Sequence, residues 1–232
     1  MKELNIKNDD ESQWLPISDL MSVLMMVFLL IAVSYMLKVY QEKEKIEEVA
    51  IAYNKLQNEL YEDISNEFSE DLKKWNAEID KTSLSVRFKA PEILFSIGSS
   101  NMKSEFKTIL NDFFPRFTEI LYSDKYKNEI EEIRIEGHTS SYWTEKTSAD
   151  KAYIFNMELS QNRTRNVLNY LLSVENEASK NEWLKQNVTA NGLSSSKLIY
   201  DSNGVENREL SRRVEFRVKT NAEKRIAKIL NQ

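Results

Sequence analysis

The chain has 232 residues, a net charge of -5 at neutral pH and 41% hydrophobic residues. It contains no cysteine and one histidine. This excludes disulfides, thiol catalysis, cysteine-based metal sites and zinc sites built from several histidines. The mild acidity gives no sign of the basic surface that binds nucleic acid.

An apolar stretch near the N-terminus dominates the sequence. Residues 20–37 contain no charged residue, and as a helix they would extend roughly 27 Å, close to the ~30 Å of a bilayer's hydrocarbon core. We predict one transmembrane helix over residues 14–40, after a short polar segment over residues 1–13. The leading segment holds two lysines against four acids, which is the wrong bias for a cleaved signal peptide. We therefore expect an uncleaved anchor.

Asp19 is the one acidic residue inside the predicted span. A carboxylate at that depth is costly and usually faces a partner or a water-filled path. Its position near the helix start would also let it meet the positive end of the helix dipole and the lipid headgroups. Ser22, one turn on, shares its helix face and could bond the carboxylate or a bound cation. The residues alone leave an ion-binding pair and a headgroup-facing acid equally open.

Residues 41–81 are predicted to form a helical connector, rich in Glu and Lys and without Gly or Pro. The apolar residues first follow a heptad seam and then drift, as in an unsupercoiled helix. The seam and its continuation consist of Ile46, Val49, Tyr53, Leu56, Leu60, Ile64, Phe68, Leu72, Trp75 and Ile79. Two alternatives remain open: a two-stranded coiled coil that holds a homodimer together, or one amphipathic helix packed on its own domain.

Strands and helices alternate in the rest of the chain. We predict strands over residues 83–89, 131–136, 188–190 and 213–219, from their alternating or short apolar patterns. Helices are predicted over residues 103–122 and 156–172, with a last polar helix in the tail, residues 221–232. This order indicates an α/β sandwich over residues 82–220, in which helices pack on one face of a mixed sheet.

Three segments resemble the OmpA-like peptidoglycan-binding domain. They are residues 135–139 (IEGHT), residues 156–163 with the pattern Asn-x-Glu-Leu-Ser-x-x-Arg, and residues 212–215 (RRVE). The second segment is similar to its version in the flagellar stator protein MotB. The resemblance covers about residues 82–219 and implies a pocket for the diaminopimelate carboxylate of a peptidoglycan stem peptide.

The resemblance also implies which residues bind. Arg163 would clamp the carboxylate through two hydrogen bonds, Asn156 would bond beside it, and Leu159 would form an apolar wall. These three residues step by three and four, so that one helix face presents them together. Phe155 and Thr139 complete the predicted peptidoglycan-binding set. The alternative for Arg163 is a surface arginine that pairs with solvent.

Two neighbouring positions receive a different interpretation. The family usually has an aspartate where this chain has Ser140, and that aspartate helps bind the ligand's ammonium group. The replacement removes a charge and puts the family's affinity or ligand in question. We interpret His138 as a structural residue at a strand end, since no nucleophile in the sequence pairs with it.

Residues 19–28 (DLMSVLMMVF) resemble the ion-carrying helix of MotB-type stator subunits, in which one aspartate accepts the coupling ion. The short acidic N-terminus is similar to that of the B subunits of Zorya anti-phage defence systems. The resemblance implies a homodimer inside a pentamer of a MotA/ZorA-like membrane protein, driven by protons or by sodium ions. The scarcity of other oxygen ligands near Asp19 favours protons, with sodium as the alternative ion. It implies no cofactor and no metal.

The same resemblance places the chain in the bacterial inner membrane, with a cytoplasmic N-terminus and a periplasmic domain on the cell wall. The lysines around the span slightly oppose this orientation, since Lys2 and Lys7 precede it and Lys38, Lys43 and Lys45 follow it. A flagellar MotB-like stator subunit and a purely structural tether of the OmpA/Pal type are the alternatives. An enzyme is not expected, because the sequence has no nucleophile–base pair, phosphate-binding loop or metal cluster.

Overall fold

The computed structural model describes residues 11–89, 91–96, 98–175 and 177–221, without the side chains of residues 11–16, 91 and 92. The chain divides into two compact units, and the boundary lies between Ile51 and Ala52, inside the first helix. The predicted tail helix and most of the predicted N-terminal segment lie outside the described residues.

Helix α1 (Glu11–Phe68) contains the predicted span. An eighteen-residue window of this helix has a mean hydropathy of 2.5, and none of its residues is buried. Leu24 is 48% exposed and Met25 73% exposed, although they point in different directions from the helix axis. By length and composition the helix can cross a membrane, where lipid or other helices would cover a surface that is apolar on every side.

The second unit is an α/β domain with a five-stranded sheet. The sheet order is β1-β2-β5-β3-β4, and only β3 and β4 run parallel, so the sheet is mixed as predicted. Its elements after α1 are α2 (Asp71–Lys74), β1 (Ala77–Asp80), β2 (Ser85–Phe88), α3 (Pro91–Leu94), α4 (Ser104–Tyr122), β3 (Ile130–His138), α5 (Ala149–Val174), α6 (Ala178–Asn187), β4 (Val188–Gly192), α7 (Arg208–Ser211) and β5 (Arg213–Thr220).

One face of the sheet carries the apolar core. The strands alternate, so that β5 turns Val214, Phe216 and Val218 inward while its intervening residues point to the other face. The phenylalanines of α4 cover this face: the Phe113 ring lies 5.2 Å from the ring of Phe88 and 5.1 Å from that of Phe216. The burial of these apolar rings stabilises the packing of α4 on the sheet.

The second half of the predicted connector seam packs on its own domain. Leu60, Ile64 and Phe68 are at most 2% exposed, and the ring of Phe68 lies 5.2 Å from that of Phe113. For these residues the structure favours the docked amphipathic helix over the coiled coil. A coiled coil formed by the first seam residues, from Ile46 to Tyr53, stays a prediction.

The prediction that the connector helix continues to residue 81 was wrong beyond Phe68. The chain forms the short α2 and then β1, the edge strand of the sheet. The turn between them is made at Asn76, whose φ of 50° lies in the left-handed region that asparagine tolerates. Helix α6 was not predicted at all, and α5 begins at Ala149 instead of residue 156.

Candidate functional site

The site lies where β3 ends, β5 begins and α5 crosses the sheet. Helix α5 approaches the strands very closely at two glycines. A Cβ on Gly137 would lie 2.8 Å from Cγ2 of Thr164, and one on Gly192 would lie 2.3 Å from the backbone nitrogen of Gln161. No side chain fits at either position, so these glycines fix the height of α5 above the sheet. Arg163 extends from this fixed segment.

Arg163 is half-buried in a small pocket, and the described residues that line this pocket provide no counter-charge. Its Nε donates to the carbonyl oxygen of Ser99 at 2.9 Å, and its guanidinium carbon lies 4.8 Å from the ring centre of Phe95. In the described part of the chain no carboxylate lies within ion-pair distance of it. Burial, together with the nearby charge of Arg212, lowers the pKa of Arg163 to about 10.

A second arginine completes the pocket. Arg212 is exposed and makes no side-chain ion pair or hydrogen bond with the described residues. The pocket is lined by Leu94, Phe95, Gly137, His138, Arg163, Arg212, Arg213 and Val214. Two arginine side chains that have no carboxylate partner in the described structure, on an apolar floor, can bind an anion such as a carboxylate.

The other four predicted binding residues do not line this pocket. Asn156 is buried, and its amide nitrogen donates to the carbonyl oxygens of Ser140 at 3.1 Å and Tyr142 at 3.3 Å, so it anchors the loop between β3 and α5. Phe155 is 41% exposed and contacts Trp143 with its ring. Their direct contact with a ligand stays a prediction.

Thr139 and Leu159 likewise have local surroundings of their own. The backbone nitrogen of Thr139 donates to the carbonyl oxygen of Ser194 at 2.9 Å, while its buried hydroxyl has no hydrogen-bond partner in the described structure. Leu159 is half-buried on α5. Ser140, at the position of the family aspartate, is 6% exposed, so the loop presents no carboxylate there.

Arg212 was missed as a site residue. It belongs to one of the three motifs that carry the family resemblance, but its motif suggested only a strand start. The signal that could have found it is the pair of adjacent arginines. Arg213 begins β5 and is buried, which leaves Arg212 on the opposite face at the pocket mouth.

Behind the pocket lies a buried network of charges on the sheet face away from the core. Glu215 accepts from Nε of Arg213 at 2.6 Å and from Nε of Arg87 at 2.9 Å. Burial works against its charge, but the two arginines outweigh that effect and lower the pKa of Glu215 to about 2. The network is therefore ionised throughout the neutral range.

His138 joins this network without a hydrogen bond. Its Nε2 lies 3.7 Å from Glu136 and 3.8 Å from Glu215, and burial lowers its pKa. One nitrogen or oxygen atom from each of these three residues lies within 4.8 Å of the other two, a spacing that could hold a metal ion. Because Glu215 already pairs with two guanidinium groups, its charge is compensated without a cation. The arrangement favours an ion-pair network over a metal centre.

In the span, Asp19 is exposed, and Ser22 does not bond to it. The hydroxyl of Ser22 donates to the carbonyl oxygen of Ser18 at 2.8 Å, within the same helix. The lone pairs of that hydroxyl stay available to accept a hydrogen bond or to face a cation. The ion-binding roles of Asp19 and Ser22 stay predictions.

Comparison with known proteins identifies the family. The model of the OmpA family matches residues 94–212. The Zorya protein ZorB of Escherichia coli (strain Crooks) is 49% identical over 231 residues, which cover 100% of this chain and 97% of that protein. The Zorya protein ZorB of Escherichia coli O139:H28 is 25% identical over 91% of this chain and 83% of its own length.

Solved structures of similar proteins include a MotB-like protein from Desulfovibrio vulgaris, 23% identical, with a TM-score of 0.48 over 77% of this chain and 94% of that one. The periplasmic domain of Helicobacter pylori MotB is 20% identical, with a TM-score of 0.41 over 63% of this chain and 81% of that one. The family matches confirm the resemblance inferred from the sequence motifs: this chain belongs to the ZorB family and carries a domain of the OmpA family.

Proposed function

We propose that this protein is the stator-type B subunit of a Zorya anti-phage defence complex, a single-pass inner-membrane protein whose domain binds peptidoglycan. The observation that carries the wall-binding part is the pocket in which Arg163 and Arg212 have no carboxylate partner among the described residues. Membership of a family of structural and stator proteins, and not of enzymes, agrees with this proposal.

In this proposal the pocket binds a carboxylate of the stem peptide. Arg163 is held by Ser99 and by the ring of Phe95, so its remaining N–H groups are oriented before a ligand arrives. Its partial burial strengthens a charge-assisted hydrogen bond relative to one in water. Arg212 adds a second positive charge at the mouth, which attracts an anion and favours a carboxylate over a neutral group.

Substitution of Arg163 tests wall binding. We expect Arg163→Ala to reduce the binding of purified peptidoglycan sacculi by tenfold or more, because a half-buried charged partner of the ligand is lost. Arg165→Ala is the matched control, since Arg165 lies on the same helix but is exposed and outside the pocket. Sedimentation of the protein with sacculi measures both variants. Equal binding by Arg163→Ala and wild type would remove the pocket from wall binding.

At the other end of the chain, Asp19 would bind and release the coupling ion. Two copies of the span would sit inside a pentamer of a MotA/ZorA-like protein, with the N-terminus in the cytoplasm. Protonation neutralises the carboxylate of Asp19. Release of the proton restores the negative charge and with it an attraction to polar groups of the surrounding ring. One elementary charge crossing 100 mV releases about 2.3 kcal/mol, so a few such events can step the ring around a wall-held dimer.

Asp19→Asn tests the ion-driven part separately from the wall-binding part. We expect this variant to assemble normally and to lose phage protection, because the amide keeps the size of the side chain but cannot take up a proton. Plaque counts on cells that express the complete system measure protection, and Asp19→Glu, which keeps the carboxylate, is the control. If cells with Asp19→Asn stay protected while cells with Arg163→Ala do not, the protein is a wall tether without an ion.

A further inference from the structure

An exposed aromatic surface lies on the loop between β3 and α5 and on the adjoining part of α5. We name it the aromatic platform and define it by Tyr142, Trp143 and Phe155. Tyr142 is 44% exposed, Phe155 is 41% exposed and Trp143 is half-buried. The rings of Trp143 and Phe155 lie 5.4 Å apart and tilt by 48°. Exposed aromatic rings that are grouped in this way usually mark a binding surface.

The loop that carries the aromatic platform is braced from two sides. Asn156 holds it from α5 through two hydrogen bonds to backbone carbonyls. From the segment before α7, Oε1 of Glu206 accepts from the backbone nitrogen of Ser141 at 2.9 Å, and its second oxygen pairs with the Ser141 hydroxyl. Little conformational entropy is therefore lost when a ligand binds, which is the usual advantage of a preorganised site.

The rim of the aromatic platform is polar. The guanidinium group of Arg208 lies over the ring of Tyr142, with its central carbon 4.7 Å from the ring centre, so it covers one face of that ring and adds hydrogen-bond donors beside the aromatic platform. Glu206 borders the same loop and has no ion-pair partner among the described residues. Aromatic faces with mixed donors and acceptors at the edge match a sugar, which has flat C–H faces and a ring of hydroxyl and amide groups.

The spacing between the platform and the pocket matches peptidoglycan. Phe155 and Arg163 are eight residues apart on α5, which is roughly 12 Å along the helix axis. Three extended residues of a peptide span about 10 Å. A stem peptide whose third residue has its carboxylate at Arg163 would thus bring the sugar to which it is attached over the aromatic platform.

We propose that the aromatic platform binds the glycan strand of peptidoglycan, through the faces of its N-acetylated sugar rings, next to the stem peptide in the arginine pocket. This inference rests on the proposed wall-binding function and assigns a second part of the ligand to a second surface. The glycan contact would compensate for the ammonium contact that the missing carboxylate at Ser140 no longer supplies.

Two soluble ligands test the proposal on the full chain in detergent micelles: the free tetrapeptide stem and the same peptide carrying its disaccharide. We expect wild type to bind the disaccharide-peptide about five- to tenfold more tightly than the free peptide, as measured by calorimetry. Tyr142→Ala and Trp143→Ala should each reduce that ratio toward one while leaving the affinity for the free peptide unchanged. Val174→Ala, an exposed apolar side chain at the far end of α5, is the control and should keep the ratio.

The outcomes separate this proposal from the proposed function. Equal affinity of wild type for both ligands would overturn the glycan contact and leave the arginine pocket as the wall site. No binding of either ligand would overturn both. If the platform variants keep the ratio but change the mass of the complex in light scattering, the surface contacts a second copy and not a sugar. Thermal unfolding of each variant checks that a change in binding is not a loss of fold.

Discussion

At the scale of single residues, the site depends on charges that are compensated in one place and left uncompensated in another. Glu215 has two guanidinium partners and a hydroxyl from Ser85 at 2.9 Å. Arg163, on the neighbouring helix, has only backbone carbonyls and an aromatic ring among the described residues. The contrast between the fully paired carboxylate and an arginine without an anion among the described residues agrees with the proposal that Arg163 binds a ligand.

The network around Glu215 predicts how stability depends on pH. Its pKa falls from the ordinary 4.5 to about 2 on folding, so as the pH decreases the unfolded chain takes up the proton first. The stabilisation by this group is complete above about pH 4.5 and is lost as the pH falls toward 2. We expect Glu215→Gln to lower the free energy of unfolding by about 3 kcal/mol at pH 7 and by much less near pH 2.5.

Urea denaturation of the full chain in detergent, at several pH values, measures this difference. Glu182→Gln is the control, because Glu182 is 67% exposed in its pair with Lys185 and should contribute less than about 0.5 kcal/mol. A loss for Glu215→Gln that is the same at both pH values would mean that packing, and not charge, makes this residue important.

At the scale of elements, the sequence predicted best where periodicity and burial agree. The strands at Ser85–Phe88 and Arg213–Thr220 and helix α4 lie where their apolar patterns placed them. The edge strand β1 was not predicted, because residues 69–80 continue a helical pattern with no Gly or Pro. The helical conformation ends there because of the left-handed turn at Asn76. Helix α6 buries only Lys180 and Leu184, too few residues to give a periodic signal.

In the site, too, the sequence predicted the residue that belongs to a local motif and missed the neighbours that come from distant parts of the chain. Arg163 could be found because a motif within one helix carries it. Its neighbours Phe95 and Arg212 come from distant parts of the chain, and only the sheet topology brings them together. The sequence did not predict that the Asn156 side chain also holds a loop, which it does because a buried amide satisfies its donors with the nearest carbonyl groups. Its contact with a ligand stays a prediction.

The packing of residues 52–68 of α1 on the domain leads to a prediction for the connector. Leu60 is a seam position of the predicted coiled coil, yet it is 0% exposed within its own domain. We expect Leu60→Ala to lower the free energy of unfolding of the domain by about 3 kcal/mol, through lost burial and the cavity left behind. Ile51→Ala, at an exposed position on the same helix, should change it by less than about 0.5 kcal/mol. Chemical denaturation monitored by tryptophan fluorescence measures both. A variant that splits a dimer without destabilising the domain would support the coiled coil instead.

At the scale of the whole molecule, the two units have opposite relations to water. The first is an apolar helix whose described span residues are all exposed, and the second buries its apolar side chains against a sheet. The proposed function needs both units. The span would carry the ion that drives rotation, and the wall-binding domain would hold the dimer in place while the surrounding ring turns. The proposed function also requires that the domain and the short N-terminal segment lie on opposite sides of the bilayer.

The absence of cysteine makes this orientation directly testable. Single cysteines at Glu3 and at Val205, which is 62% exposed on the domain, can be labelled by a maleimide that cannot cross the inner membrane. In cells with a permeabilised outer membrane we expect Val205→Cys to react at once and Glu3→Cys to react only after the inner membrane is disrupted. Because the lysines around the span slightly favour the reverse, the measurement discriminates between two physical arguments. Labelling of Glu3→Cys in intact spheroplasts, with Val205→Cys protected, would place the domain in the cytoplasm and exclude the cell wall as its ligand.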